Sequence, residues 1–83
     1  MQKLISTRKT RELFGGISAM TEWRRRRAGL LPPVIKINGR NFDVEPEIAD
    51  IIQAAVAGAP NADVAGLVKK IVEARVAGQI QPT

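Results

Sequence analysis

The sequence contains no cysteine and no histidine. Their absence excludes disulfide bonds, thiol catalysis and the usual zinc ligands, and it favours an intracellular protein. Long apolar runs are also missing, so we expect no segment that spans a membrane. The N-terminal residues include no apolar stretch of the length that a signal peptide needs. These absences predict a cytoplasmic protein with no bound metal and no membrane partner.

Acidic residues are scarce in the first half of the chain. Residues 1–42 carry ten lysines and arginines against two glutamates, a net charge of +8. Residues 43–83 carry three against six acids, a net charge of −3. This asymmetry gives one end of the molecule a positive field, as expected for a face that binds a polyanion. The alternative is simply a soluble basic protein.

A catalytic pair of nucleophile and general base is not recognisable in the sequence. The acids Asp43, Glu45 and Glu47 could hold a metal ion in principle, but they are better explained as charges that cap a helix.

With 83 residues the chain forms one domain, and it buries only about 60% of its unfolded surface. Its stability is therefore marginal without a partner. Because no catalytic pair is recognisable, we expect a binding protein without a cofactor rather than an enzyme.

The first helix is predicted over residues 8–14, after Ser6–Thr7 as a natural N-cap. The residues at helical spacing that form its predicted inner face are Thr10, Leu13, Phe14 and Ile17. Arg8, Lys9 and Arg11 then mostly face outward. The glycines at 15–16 end the helix, because glycine readily adopts the left-handed conformation found there.

A second helix, predicted over residues 19–28, is capped by Ser18. Met20 and Trp23 lie three residues apart and form its predicted inner edge. Gly29 ends it. Two helices joined by a tight turn with glycine are typical of a helix-turn-helix. In that motif the second helix enters the major groove of DNA, with its N-terminal residues nearest the bases.

The arginine run at residues 24–27 cannot point in one direction. At about 100° per residue, four consecutive side chains cover about 300° of the helix circumference. Two or three of them can reach one DNA surface, and the others must pair with acids, contact a neighbouring molecule or lie in water. Glu22 and Arg26 are four residues apart and could pair. The alternative for such a run is a solvated face or a localisation signal.

A β-hairpin is predicted over residues 34–42, with Asn38 and Gly39 at its turn. Asn-Gly between two runs of strand-forming residues is the strongest short hairpin signal, because both positions can adopt positive φ. The tip carries Lys36, Asn38 and Arg40, so beside the second helix the hairpin would form a basic wing. Alternatively, its apolar residues only close the core and the basic tip is incidental.

Two further helices are predicted in the second half of the chain. The third starts within residues 43–47, and its apolar stripe comprises Ile48, Ile51, Ile52, Ala55 and Val56. The fourth starts at Asn61 or Asp63 and ends near Ala77, with a flexible tail over residues 79–83. Its apolar residues cover about 200°, wider than the stripe of about 100° needed to pack on one surface.

The width of that apolar arc has two interpretations. The fourth helix either packs on its own domain and also on another subunit, or only completes a small core. For the first interpretation, the candidate self-association residues are Leu67, Ile71, Val72 and Ile80. The corresponding division is a DNA-binding domain at residues 1–58 and a C-terminal element at residues 59–83. Deletion of residues 61–83 would then spare binding to a single DNA site and damage cooperativity.

The order of these elements resembles the small AlpA-like regulators and excisionases, which have a winged helix-turn-helix related to the DNA-binding domains of the MerR family. The match covers roughly residues 4–53. It rests on the segments Phe14–Ser18, Met20–Thr21, Trp23–Arg24, Gly29–Pro32, Ile37–Arg40 and Glu45–Ile48. The implied fold is mainly α with a small β-hairpin, and this chain adds a C-terminal helix.

The resemblance also implies roles for individual residues. Ser18, Thr21 and Arg24 would lie on the groove-facing side of the recognition helix, and Arg40 on the wing would contact phosphate or the minor groove. The chain departs from the family where apolar or aromatic residues are usual. Those positions carry Glu22, Arg25, Arg26 and Asp43. The recognition helix is then either more exposed, or its polar residues contact another molecule.

We therefore expect a nucleoid-associated protein that binds double-stranded DNA and self-associates on it. The predicted DNA-binding residues are Arg8, Lys9, Ser18, Thr21, Arg24, Arg25, Arg27, Lys36, Asn38 and Arg40. By resemblance it is an excisionase, or recombination directionality factor, that organises repeated attachment-site DNA for a tyrosine or serine integrase. The alternatives are a transcriptional regulator with the same fold and a module that binds only protein.

Overall fold

The computed structural model describes residues 3–80, with side chains up to residue 77. A short strand, β1 (Leu4–Ser6), leads into helices α1 (Thr7–Leu13) and α2 (Ala19–Arg27). The side chains of Ser6 and Ser18 each accept a backbone N–H of the following helix at 3.1 Å. The cap predicted at Ser6–Thr7 is therefore Ser6, and the cap predicted at Ser18 is confirmed.

Both helices end in the same way. Gly15 has φ 86° and Gly29 has φ 78°, a left-handed conformation that other residues rarely adopt. The next N–H in each case donates back to a carbonyl five residues earlier, from Gly16 to Arg11 and from Leu30 to Arg25, at 2.8 Å. The N–H groups of Gly15 and Gly29 also donate, to the carbonyls of Glu12 and Arg26. These paired hydrogen bonds end each helix sharply and turn the chain within a few residues.

Three antiparallel strands form one sheet in the order β1-β3-β2, where β2 is Ile35–Ile37 and β3 is Arg40–Val44. The predicted hairpin is confirmed: Asn38 and Gly39 have φ 52° and 76°, which gives the tight turn that matches strand twist. β1 was not predicted. It pairs with the other side of β3, and a strand of three residues is too short to have a recognisable alternation of its own.

Helices α3 (Glu45–Val56) and α4 (Asn61–Ile80) complete the fold. Val44 is the N-cap of α3 and its side chain makes no capping bond, so the prediction that Asp43 caps this helix is wrong. Asp43 lies inside the protein instead. α4 continues to Ile80, beyond the predicted end near Ala77, and the rest of the predicted tail lies outside the described residues. Within those residues no helix has the length and apolar character needed to cross a membrane.

One core serves the whole described chain. Its buried apolar side chains are Ile5, Leu31, Ile48, Ile51, Val64, Val68 and Ile71. The last three belong to α4 and the others to residues before position 58. The structure therefore joins the two predicted parts of the chain through a common core.

Several apolar side chains lie outside this core, against the prediction. Met20 and Trp23 of α2 are 57% and 54% exposed, so the prediction that they form the inner edge of α2 is wrong. Leu13 is also exposed, and Val56 at the end of α3 is 82% exposed. For Met20 and Trp23 the reason is that the charged residues Glu22 and Arg26 occupy the inward side of α2.

Candidate nucleic-acid interface

The inward side of α2 carries charged residues. Glu22 is buried, and the side chain of Arg26 is only 14% exposed. They lie one helical turn apart, and Arg26 Nε donates to Glu22 Oε2 at 3.0 Å. The predicted pairing is confirmed, and it fixes which side of α2 faces the protein.

Arg26 also reaches the sheet. Its Nη1 and Nη2 donate to Asp43 Oδ1 and Oδ2 at 2.9 and 2.8 Å, and Nη1 donates to the Pro32 carbonyl at 2.6 Å. Asp43 is fully buried and also accepts from the Thr10 hydroxyl at 2.6 Å. One guanidinium thus joins α2 to β3 and to the segment before the hairpin.

This cluster has every buried polar atom satisfied. Arg11 Nη1 donates to the second oxygen of Glu22 at 2.9 Å, which brings α1 into the cluster and corrects the prediction that Arg11 faces outward. No buried side-chain nitrogen or oxygen in the described residues lacks a hydrogen-bond partner. Burial lowers the pKa of Arg26, but hydrogen bonds and charge attraction from Asp43 and Glu22 outweigh it and raise the pKa above its ordinary value. Arg26 is therefore a permanently charged structural residue.

Part of this cluster could be anticipated from the sequence. Glu22, Arg26 and Asp43 stand where the AlpA-like family, which the chain resembles, usually has apolar or aromatic residues. The spacing of Glu22 and Arg26 also predicted a pair. The contribution of Asp43 could not be inferred, because it lies 17 residues from Arg26 in the chain.

The outward side of α2 carries a different set of residues. Met20, Trp23, Arg24 and Arg27 are all exposed. At about 100° per residue these four positions fall within roughly 100° of one another, and Glu22 and Arg26 lie on other parts of the circumference. The Arg27 guanidinium lies 5.2 Å from the Trp23 ring centroid, a cation–π distance. We call these four residues the outer face of α2.

Arg25 is separated from that face. Its guanidinium lies 5.5 Å from the ring centroid of Phe14, the residue that follows α1. Helical geometry also directs it about 100° away from Arg24. The structure therefore brings Arg24 and Arg27 together but places the predicted DNA-binding residue Arg25 elsewhere.

Ser18 and Thr21 lie at the N-terminus of α2. The Ser18 hydroxyl donates to Thr21 Oγ1 at 3.0 Å while it accepts the Thr21 N–H. Both predicted DNA-binding side chains thus have capping bonds within the helix.

The remaining predicted DNA-binding residues are on other elements. Lys36, Asn38 and Arg40 are exposed on the hairpin. Arg8 and Lys9 are exposed on α1, where Lys9 makes a long ion pair of 3.9 Å with Glu12.

The predicted self-association residues have different environments. Ile71 is buried in the chain's own core, which corrects its assignment to a subunit interface. Leu67 packs against that core and is half-buried, as is Val72. The side chain of Ile80 lies outside the described residues.

Arg75, which interrupts the apolar arc of α4, has a structural contact. It forms a two-point ion pair with Glu47 at the start of α3, and its Nη1 donates to the Pro33 carbonyl at 2.9 Å. With Asp43 bound to Arg26, two of the three acids considered above as metal ligands have arginine partners. Within residues 3–77 no group of acids is arranged to hold a metal ion.

Comparisons with protein-family models, with curated proteins and with solved structures gave no match.

Proposed function

We propose that the protein is a non-enzymatic, sequence-specific DNA-binding protein with a winged helix-turn-helix fold. In this proposal α1 and α2 form the helix-turn-helix, α2 is the recognition helix and the β2–β3 hairpin is the wing. The observation that carries it is the division of the arginine run. Arg26 forms ion pairs with Glu22 and Asp43 inside the protein, while Arg24 and Arg27 are exposed on one face of α2.

The charges of the first half support a polyanion partner. Of its two glutamates, Glu22 is buried between Arg11 and Arg26, and Glu12 makes a long ion pair with Lys9 at 3.9 Å. Among the described residues, exposed cations of this half without an ion-pair partner include Arg8, Arg24, Arg27, Lys36 and Arg40. Such cations suit phosphate contacts, which supply much of the affinity of proteins for DNA.

The biological role that we propose is that of an excisionase. Several copies would bind repeated attachment-site DNA, bend or organise it and direct a tyrosine or serine integrase towards excision. The size of the domain supports cooperation. A single module of this kind buries roughly 600–1,000 Å² on DNA, and bending a site of 20–30 bp costs on the order of 1–6 kcal/mol. The second candidate is a transcriptional regulator with the same fold.

A footprint on the DNA that encodes the protein would separate these roles. Protection of repeats at an attachment site, with stoichiometry that grows with site length, is expected of an excisionase. Protection confined to a promoter would favour the regulator. DNA affinity that does not change with salt concentration would contradict both, because phosphate contacts release counterions.

Arg24→Ala and Arg40→Ala are expected to weaken DNA binding in different ways. Arg24 should face base edges, so its loss should cost about 1–3 kcal/mol at the specific site and relax specificity. Arg40 should contact the backbone, so its loss should weaken specific and nonspecific binding alike and lower the salt slope by about 1. Salt-titrated fluorescence anisotropy with specific and random duplexes measures both effects.

The matched control is Lys69→Ala, which removes one exposed positive charge from α4. It should change affinity little, and its salt slope should stay close to that of the wild type. Identical, salt-independent behaviour of the Arg24 and Arg40 variants would contradict their assignment.

A further inference from the structure

We propose that Met20 and Trp23 read the C5-methyl groups of thymines in the major groove, so that the preferred DNA site has thymines opposite the outer face of α2. This inference rests on the proposed DNA-binding function and adds a specificity determinant to it. The starting observation is that two large apolar side chains on α2 are more than half exposed, at 57% and 54%.

The position of these side chains favours a base-edge contact. Met20 lies in the first turn of α2, and Trp23 lies one turn further on, beside the exposed Arg24 and Arg27. If α2 is the recognition helix, its first turns are nearest the bases. With a rise of about 1.5 Å per residue, Met20 and Arg27 are about 10 Å apart along the helix. That distance corresponds to about three base pairs at 3.4 Å each.

The charge around the apolar pair favours DNA over a protein partner. Both flanking charged residues on this face are arginines, and one of them lies over the Trp23 ring. The nearest acid in sequence, Glu22, is buried on the inward side. A surface with an apolar centre and positively charged surroundings is complementary to the major groove of a site that contains thymine. There the thymine methyl is the apolar group on the base edges and phosphates line the groove.

A second exposed apolar surface provides a comparison. It lies between α1 and α3 and includes Leu13, Ile52 and Val56, with the acid Glu45 at its edge. Val56 belongs to α3, outside the proposed recognition helix and wing, and is 82% exposed. It is therefore a control position for apolar surface that should not contact bases.

The test replaces thymine by deoxyuridine, which removes only the C5-methyl group. A site is first selected from random duplexes with the full-length protein, and each thymine in it is then replaced singly. We expect about a fourfold loss of wild-type affinity at one or two adjacent thymines, which is the effect of about 0.8 kcal/mol for one buried methyl-sized group. Because the protein is unchanged, this arm is independent of any effect on folding.

The second arm measures Trp23→Ala on the thymine and uracil duplexes. The variant should bind the thymine site more weakly and should no longer distinguish the two bases at the affected position, while Trp23→Phe should retain part of the distinction. Met20→Ala should remove the distinction at a neighbouring position or reduce it. Val56→Ala should discriminate thymine from uracil as the wild type does. Circular dichroism confirms that each variant is folded.

Three outcomes would overturn the inference. Wild-type binding that is indifferent to every uracil replacement excludes a methyl contact. A Trp23→Ala variant that loses affinity equally for both bases assigns the ring to the sugar-phosphate backbone. If Trp23→Ala or Met20→Ala binds DNA normally but no longer forms a self-associated complex that the wild type forms in light scattering, the outer face of α2 contacts protein instead. Absence of salt-dependent DNA binding by the wild type would instead overturn the proposed function.

Discussion

A chain that ends after Pro60 is expected to be unfolded at 25 °C. The deletion removes Val64, Val68 and Ile71 from the core and exposes the side chains against which they pack. At about 1.5–3 kcal/mol for each buried aliphatic side chain, the loss is roughly 5–9 kcal/mol. A domain of this size has a total stability of roughly 4–12 kcal/mol. The truncated chain should therefore show little helix by far-ultraviolet circular dichroism and no cooperative urea transition.

This expectation replaces the sequence-based one, in which the same deletion spares binding to a single site. Two valines of α4 provide matched point variants. Val68→Ala should lower the free energy of unfolding by on the order of 2 kcal/mol, since it removes buried methyl groups and leaves a cavity. Val76→Ala, at a position that is 49% exposed, should change it by about 0.5 kcal/mol or less. A truncated chain with a native spectrum and a cooperative transition would contradict the shared core.

Arg26→Ala is expected to be the most damaging single substitution in the arginine run. It leaves Asp43, which is 0% exposed, without its cationic partner. Removing one partner of a buried ion pair costs about 3–5 kcal/mol. In a domain of this length 1 kcal/mol corresponds to about 4–8 °C in melting temperature. The melting temperature should therefore fall by at least about 12 °C, as measured by circular dichroism.

The neighbouring Arg24→Ala is the matched control, because it removes the same side chain from the exposed side of the same helix. It should change the free energy of unfolding by about 0.5 kcal/mol or less. Arg26→Lys keeps the charge but not the two-point geometry, so it should fall between the two. Equal melting temperatures for the Arg24 and Arg26 alanine variants would contradict the structural role of Arg26.

Local rules account for what could be predicted from the sequence. The caps at Ser6 and Ser18, the turn at Asn38–Gly39 and the helix stops at Gly15 and Gly29 depend on a few adjacent residues, and the structure has them as expected. The strand β1 and the ion pair between Arg26 and Asp43 depend on residues far apart in the chain. A single sequence does not indicate such pairings.

The candidate site was predicted in part for the same reason. The basic character of α2 and the hairpin could be read from the sequence, but the rotation of α2 about its axis could not. The prediction placed Met20 and Trp23 inside, because apolar residues usually face a core. The structure has Glu22 and Arg26 there instead, since Arg11 donates to Glu22, and Asp43 and the Pro32 carbonyl accept from Arg26. The choice between these rotations required the tertiary contacts.

The guanidinium of Arg26 has a consequence for the proposed binding to DNA. It binds β3 through Asp43 and the entry to the hairpin through Pro32, so it ties the inclination of α2 to the hairpin. The entropy of ordering these elements is then lost during folding and not again on association. If the protein binds DNA as proposed, we expect it to dock almost as a rigid body. The duplex, whose bending energy depends on its base steps, would be the partner that changes shape.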